Sequence, residues 1–433
     1  MKKTILNLSL LFLFTPLIYS QKLLTSEEAV SVALKYNYDI LLAGNSAYSD
    51  SVNNTLGNAG MLPNLNINGT ESYSLSTRVN QKFSDGTLVS LSNSRSNSIN
   101  AGIGLNWTLF DGGKMFVTKR KLNEIQALGE IQYRDRVLQT IHDVILAYFD
   151  VVRQKQELAS INEVITYNLD RVKISQTSYD AGLVPKTNLL QAKIDLNVYQ
   201  ENAINQQSII VAAKRTLNQL LGRNPEVSFE VLDSIPIDAI LDKTQLAQKL
   251  DSVNTSILSF QKQVDIARLG LKETNSLLLP KVNFIAGYNL YQSNSPNGNP
   301  VKNRTIGPSI GGTVSIPIYQ AGNTLRQIRL AKIQLQSEEF NLENIKLKMN
   351  QQLLDAITQF ENQLKLLKIE KDNAVSAKEN LQISIQRLRY GQTTSLEVSL
   401  AESSFAESLT RLINFEYNLK AAETKLKQLF SRL

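Results

Sequence analysis

The residue types that most often do covalent chemistry are scarce in this chain. Its 433 residues include no Cys and one His, His142, within Ile141-His-Asp-Val144. A nucleophile needs a base beside it and a metal needs several ligands, so a lone imidazole assembles neither. His142 reads as a solvated or packing residue. No phosphate loop, Gly-x-Ser-x-Gly elbow or dinucleotide motif occurs. Gly102-Ile-Gly-Leu105 resembles the start of a nucleotide loop, but it lies inside a two-residue alternation that belongs to a strand. No catalytic residue, metal or cofactor is therefore expected. What recurs instead is a Gly-bearing turn between helical runs, Asp180-Ala-Gly-Leu-Val-Pro-Lys186 and later Gly391-Gln-Thr-Thr-Ser395.

The runs around these turns are long. Asn323 to Tyr390 spans 68 residues with no Gly or Pro, and Lys114 to Tyr179 contains only Gly129. Gly costs a helix interior about 1 kcal/mol and Pro about 3, so both runs read as helix. At 1.5 Å per residue each would be roughly 100 Å long. Apolar residues step by three and four through Leu342, Ile345, Met349, Leu353, Ile357, Phe360, Leu364 and Leu367, then Ala374, Leu381, Ile385 and Leu388. This is a coiled-coil seam, interrupted by too many charges for a lipid-buried helix. Shorter runs follow each turn, and the two copies align at an offset of 209: Gly182 with Gly391, Ala192 with Ala401, Leu217-Asn-Gln-Leu with Leu426-Lys-Gln-Leu. An internal repeat of this size means one structural unit built twice.

Ahead of each long run the pattern changes to period two. Leu65, Ile67, Gly69, Tyr73 and Leu75 alternate with Asn and Ser, interrupted by Glu71. Ile99 to Leu109 repeats the alternation, as do Val282 to Leu290 and Ile310 to Ile318. Strands of about ten residues with one apolar face and one of Asn, Ser, Thr and Gly match a membrane β-barrel. A soluble sandwich with one dry face is the competing reading. Ser76–Ser98 and Gln292–Thr305 read as outward polar loops. Four strands cannot close alone, and an open edge cannot sit in lipid, so closure must come from other chains. Two copies would give eight strands and three would give twelve; the small polar residues of one face suit the wider barrel.

The expected division places a first repeat at 21–221, a linker at 222–240 and a second repeat at 241–433. The first repeat holds a helix at 21–62, a β-hairpin at 64–110, a long helix at 114–179, a tip at 180–187 and a helix at 188–221. The second holds a helix at 241–279, a hairpin at 281–318, a long helix at 323–390, a tip at 391–395 and a helix at 396–433. Thr25 with Glu28 forms a capping-box pattern at the first helix. The segments ahead of the hairpins align at a different offset, 217, so the first hairpin is eight residues the longer.

Residues 1–20, with Lys2 and Lys3 before the apolar Ile5 to Ile18, read as a cleaved export signal rather than a retained anchor. Without Cys there is no disulfide framework and no acylated N-terminal Cys. The net charge of +7 falls to +5 when Lys2 and Lys3 are removed, and no basic cluster with interleaved aromatics suggests nucleic acid.

With these motifs in order, the chain resembles the TolC-like outer membrane efflux proteins. Leu24-Thr-Ser-Glu-Glu-Ala-Val-Ser-Val-Ala-Leu-Lys-Tyr-Asn37 is similar to that family's N-terminal helix. Leu62-Pro63 and Leu279-Pro280 resemble its helix-to-strand junctions, and Leu109-Phe-Asp-Gly-Gly113 and Ile318-Tyr-Gln-Ala-Gly322 its returns to helix. Tyr179-Asp-Ala-Gly-Leu-Val184 and Arg389-Tyr-Gly-Gln-Thr-Thr394 resemble its periplasmic tips. The resemblance implies an α+β membrane protein of the Gram-negative outer membrane. It implies a homotrimer, with a 12-stranded β-barrel in lipid continuous with a long periplasmic α-helical barrel. Such a trimer is a passive duct rather than an enzyme, coupled to an inner-membrane transporter by a periplasmic adaptor. The tip residues carried over are Gly182, Leu183, Val184, Pro185, Gly391, Gln392, Thr393 and Thr394. Some relatives ring the closed aperture with acidic residues, whereas Gln386-Arg-Leu-Arg-Tyr390 is basic, making Arg387 and Arg389 candidate aperture-lining groups. A duct for secreted proteins is the alternative within this class, and a periplasmic coiled-coil without a channel is the alternative outside it.

Overall fold

The computed structural model describes residues 23–237, 250–296 and 301–432. The export signal, the start of the helix expected at 241 and residues 238–240 of the linker lie outside the described residues.

The two halves repeat in their helix bounds. α3 (Lys114–Asp180) and α4 (Lys186–Leu220) begin and end 209 residues before α6 (Asn323–Arg389) and α7 (Ser395–Leu429). The long helices have 67 residues each and the short ones 35. At 1.5 Å per residue the short helices reach about half the length of the long ones. In the other half their place is taken by α2 (Tyr38–Asn53) and α5 (Thr255–Ser276).

The helix expected over 21–62 is not continuous. It forms α1 (Ser26–Tyr36) and α2, broken at Asn37, and the chain from Asn54 to Pro63 is turns and loop. Thr25 and Glu28 form the capping box of α1. Asn37 ends α1 and starts α2: its Oδ1 accepts from Asp39 N at 2.9 Å and Ile40 N at 3.2 Å. Its Nδ2 donates to Leu220 O at 2.7 Å, the last carbonyl of α4. Asn254 repeats this in the second half, capping α5 through Ile257 N and donating to Leu429 O at 3.0 Å. Each Asn therefore satisfies orphan groups of two helices at one joint.

Around the middle of α3 lies the linker. β1 (Leu23–Leu24) pairs in parallel with β4 (Glu230–Val231). Tyr148 of α3 donates to Leu24 O at 2.9 Å and accepts from Leu232 N at 3.2 Å. Val144, Phe149, Val151, Leu217, Phe229 and Val231 close this core. Gly222 lies against Tyr36 with φ +66°, where a Cβ would collide with the Tyr36 carbonyl.

The strands form one antiparallel sheet in the order β2 (Asn64–Lys82), β3 (Leu88–Asp111), β5 (Lys281–Asn294), β6 (Lys302–Ser315). The expected loop Ser76–Ser98 is instead mostly ladder: pairing continues to Lys82 with Leu88, leaving a turn at Phe83–Thr87. The additional length of the first hairpin is therefore a two-stranded ribbon extending beyond β5 and β6. Conversely, the second hairpin ends at Ser315 rather than 318, with Pro317 unable to donate to a ladder.

Candidate functional site: the two sheet faces and the helical tips

Cross-strand partners share a face, so the pairing places side chains in rows. Leu65, Leu105, Ala286 and Ile310 form one row, Ile67, Ile103, Tyr288 and Pro308 the next, and Gly69, Ala101, Leu290 and Ile306 a third. On the opposite face lie the rows Asn66, Gly104, Gly287, Ser309 and Asn68, Gly102, Asn289, Gly307. One face thus carries an apolar band, ended by the row Glu71, Ile99, Gln292, Arg304, and the other is small and polar, with Ile285 and Tyr291 as exceptions. Asn289 lies across the polar face, donating to Ser309 Oγ at 3.1 Å, and a Cβ on Gly102 would strike its Oδ1. This accounts for the Gly in the loop-like Gly102-Ile-Gly motif. Among the described residues β2 and β6 have one neighbour each, so both edges of this sheet are open.

The helices repeat this arrangement. Next to the sheet they pack in the order α2, α3, α5, α6; beyond the linker the order is α4, α3, α7, α6. The expected seam of α6 packs inward at Met349, Leu353, Leu367, Ala374, Leu381 and Ile385, while Leu364 stays exposed. A second stripe was not anticipated: Ile333, Phe340, Leu347 and Leu354, seven residues apart, are 58–71% exposed. The opposite edges are apolar too, through Tyr38, Leu42 and Tyr48 on α2 and Leu190, Ile194 and Val198 on α4.

The two tips are built alike. Leu183 N donates to Ser178 O and Gly182 N to Tyr179 O, each at 2.9 Å. Gln392 N donates to Arg387 O at 2.8 Å and Gly391 N to Leu388 O at 3.0 Å. Gly182 and Gly391 have φ +70° and +69°, the left-handed residue of a Schellman cap. Leu183 is 77% exposed, and Val184 and Pro185 follow it into α4. At the second tip Thr394 Oγ1 caps α7 through Glu397 N at 3.3 Å, and Thr393 bonds the Glu397 carboxylate. Arg387 does not reach into open space: it bonds Glu397 Oε1 at 2.6 Å and Gln392 O at 3.2 Å. Arg389 is exposed, two residues and about 200° further round the helix, so the two arginines do not share a face. His142 sits on α3, its Nδ1 2.9 Å from Asp143 Oδ1.

Sequence reasoning missed a charged cluster near the tips. Arg171 of α3 is fully buried between two hairpins. It bonds Glu402 Oε2 of α7 at 2.5 Å and Asp195 Oδ2 of α4. Gln191 Nε2 donates to Asp195 Oδ1 at 2.7 Å and Ser399 Oγ to its Oδ2 at 3.3 Å. Burial pushes the Glu402 carboxyl up to about 7; the Arg171 guanidinium opposes the rise and the neighbouring Asp195 carboxylate adds to it. The signal lay in the α3 seam, where Val164, Asn168, Arg171 and Ser175 recur at helical spacing: a charge at a core position requires a buried partner.

A strand sheet with one apolar face, carried on a coiled-coil stem too polar for lipid, fits an outer-membrane protein with a periplasmic extension. The family model described as outer membrane efflux protein matches residues 31–223 and 246–431, and the chain belongs to this family. Outer membrane efflux protein BepC of Brucella suis is 25% identical over 340 residues, covering 77% of this chain and 72% of that protein. Alkaline protease secretion protein AprF of Pseudomonas aeruginosa is 20% identical over 421 residues, covering 94% and 85%. In fold, the Campylobacter jejuni CmeC outer membrane channel matches with TM-score 0.79 at 16% identity, over 94% of this chain and 85% of that one. Vibrio cholerae VceC matches with TM-score 0.76 at 15% identity, over 94% and 96%.

Proposed function

We propose that three copies of this chain close into one passive duct, with twelve strands in the outer membrane and a helical tunnel across the periplasm. One observation carries this reading. The sheet and both helical layers end in unpaired edges, and α6 with its unused apolar heptads is an edge in both layers. Pairing β6 with β2 of the next copy, and α6 with its α2 and α4, would bury the edges of all three layers in one operation. The apolar band would then face lipid and the Asn, Ser and Gly rows the lumen.

The duct would take its cargo from an inner-membrane transporter through a periplasmic adaptor. Docking at Gly182 to Pro185 and Gly391 to Thr394 would favour a splayed arrangement of the tips by differential affinity for it. Small molecules are the proposed cargo. Export of a protein is the second reading, supported by the likeness to AprF over nearly the whole chain. No covalent chemistry enters the mechanism. Negative-stain microscopy of the detergent-purified protein tests assembly: a three-fold particle with a hollow stem of roughly 100 Å is expected. A thin rod or a compact monomer would sink the duct. Deleting the gene and comparing drug sensitivity with protease secretion separates the two cargoes.

A further inference from the structure

We propose that Arg171, Asp195 and Glu402 form a proton-sensitive clasp between the two tip hairpins, holding them together when Glu402 is protonated and loosening as it ionises. The inference rests on the duct reading for what the tips do, though its test does not.

The geometry comes first. Arg171 leaves α3 and reaches α4 of its own hairpin and α7 of the other. Arg171 lies nine residues before the end of α3 and Glu402 seven after the start of α7, which places the cluster roughly 10–14 Å from the tips. A contact there joins the two hairpins where a splaying motion would part them. The charges do not balance: one buried cation faces two carboxylates, the buried Glu402 and the half-buried Asp195, so the fully ionised cluster carries a net negative charge with little water around it. Glu402 Oε1 is buried without a hydrogen-bond partner, and so is Asn168 Oδ1 one turn before Arg171; Arg171 Nε also has no acceptor. An unpartnered carboxylate oxygen in a net-negative site is where a proton adds at least cost.

The surroundings supply little other charge. α3 presents Tyr167 beside Arg171, and α4 presents Tyr199, whose hydroxyl is itself pushed up by burial and by Glu402. α6 packs Leu381 and Ile385 against Val398, Ala401 and Phe405 of α7, and its Lys378 is held by Glu163 of α3 at 2.8 Å. On α7 the neighbours are Val398, Ser399, Ala401 and Phe405.

The sign follows from linkage. Glu402 binds its proton more tightly in the clasped arrangement than its ordinary 4.5 when exposed to water. Proton binding therefore favours the clasp. That contribution is complete below about 4.5 and is lost as pH rises through about 7. Only a proton enters or leaves: the Glu402 carboxylate takes it from water and returns it there.

The absence of Cys makes the test direct. Spin labels on Lys186→Cys and Leu396→Cys, in the full chain in detergent, report the separation of the first turns after the two tips. The separation is expected to lengthen by several ångström as pH rises through neutrality, over about two pH units, the span of one proton. Glu402→Gln should stay short at every pH. Asp195→Asn, which removes the neighbouring negative charge, should move the midpoint to lower pH. A flat wild-type profile, a Glu402→Gln profile like the wild type, or a midpoint raised by Asp195→Asn would overturn the clasp. If Glu402→Gln fails to assemble, the direction of the Asp195→Asn shift decides. Conductance of the same proteins in planar bilayers separates the two ideas. A pH-dependent distance in a protein that never conducts leaves the clasp and sinks the duct; a conducting protein with a flat distance does the reverse.

Discussion

At the end of α3, Gly182 turns the chain at φ +70°; at the end of α6, Gly391 does so at +69° with the same pair of capping hydrogen bonds. The side chains around these matched turns diverge. The first tip presents Leu183, Val184 and Pro185, and α4 begins without a side-chain cap. At the second, Arg387, Thr393 and Thr394 all converge on Glu397 or its amide. The duplicated unit thus keeps the backbone geometry that a helix reversal demands and leaves the rest free to specialise. The first tip exposes apolar side chains, whereas the second turns its polar groups on itself. Arg171 joins the two hairpins by bonding a carboxylate of each.

Arg171→Ala should have the largest effect. It leaves the buried Glu402 and the half-buried Asp195 without their cation, and removing one partner of a buried pair costs about 3–5 kcal/mol. Hydrogen exchange should quicken together in the tip-proximal turns of α4 and α7, since both lose the same partner. Exchange that quickens in one hairpin alone would mean that the clasp does not couple them.

Gly182→Val and Gly391→Val come next. Both positions have φ near +70° and open space around the missing Cβ, so the penalty is backbone strain without a clash. A left-handed residue other than Gly costs about 1–2 kcal/mol, and a β-branched one sits at the upper end. The two losses should be equal, measured as local exchange at each tip, and trimer assembly should survive both. Gly391→Val should also reduce efflux. Unequal losses would show that the Glu397 clasp, present at one tip only, supports the turn.

Much of this was legible in the sequence, for identifiable reasons. A Gly- and Pro-free run of 68 residues has few ways to be anything but helix, and a repeat at a fixed offset ties two segments to one geometry. The apolar and polar alternation in the strands survives into rows across four strands because pairing preserves the face. The break at Asn37 was missed because Asn is a tolerable helix residue, and its capping role shows only when Leu220 O and Leu429 O arrive from distant segments. The ribbon beyond Ser76 reads as a loop in the sequence because its Ser- and Asn-rich strands carry no strong apolar alternation. The Arg171 cluster draws on α3, α4 and α7, and no local pattern reports which charges three separate helices bring together.

The smallest effect belongs to Arg387. Its bond to Glu397 joins two side chains that are each nearly half exposed, and such pairs are worth about 0.2–1 kcal/mol. Arg387→Gln should raise exchange at residues 391–397 only slightly, and the difference should fade with added salt as screening removes the attraction. The same variant sharpens the aperture question. Arg387 and Arg389 point to opposite sides of α6, so at most one of them faces a common lumen in the clasped arrangement. With Arg387 engaged by its own tip, Arg389→Gln alone is expected to shift ion selectivity toward cations, and adding Arg387→Gln should change it little further. A larger shift from Arg387→Gln than from Arg389→Gln would place the Glu397 clasp itself at the pore. The second tip would then be the gate-lining one, and the contrast between the tips would be a division between docking and gating.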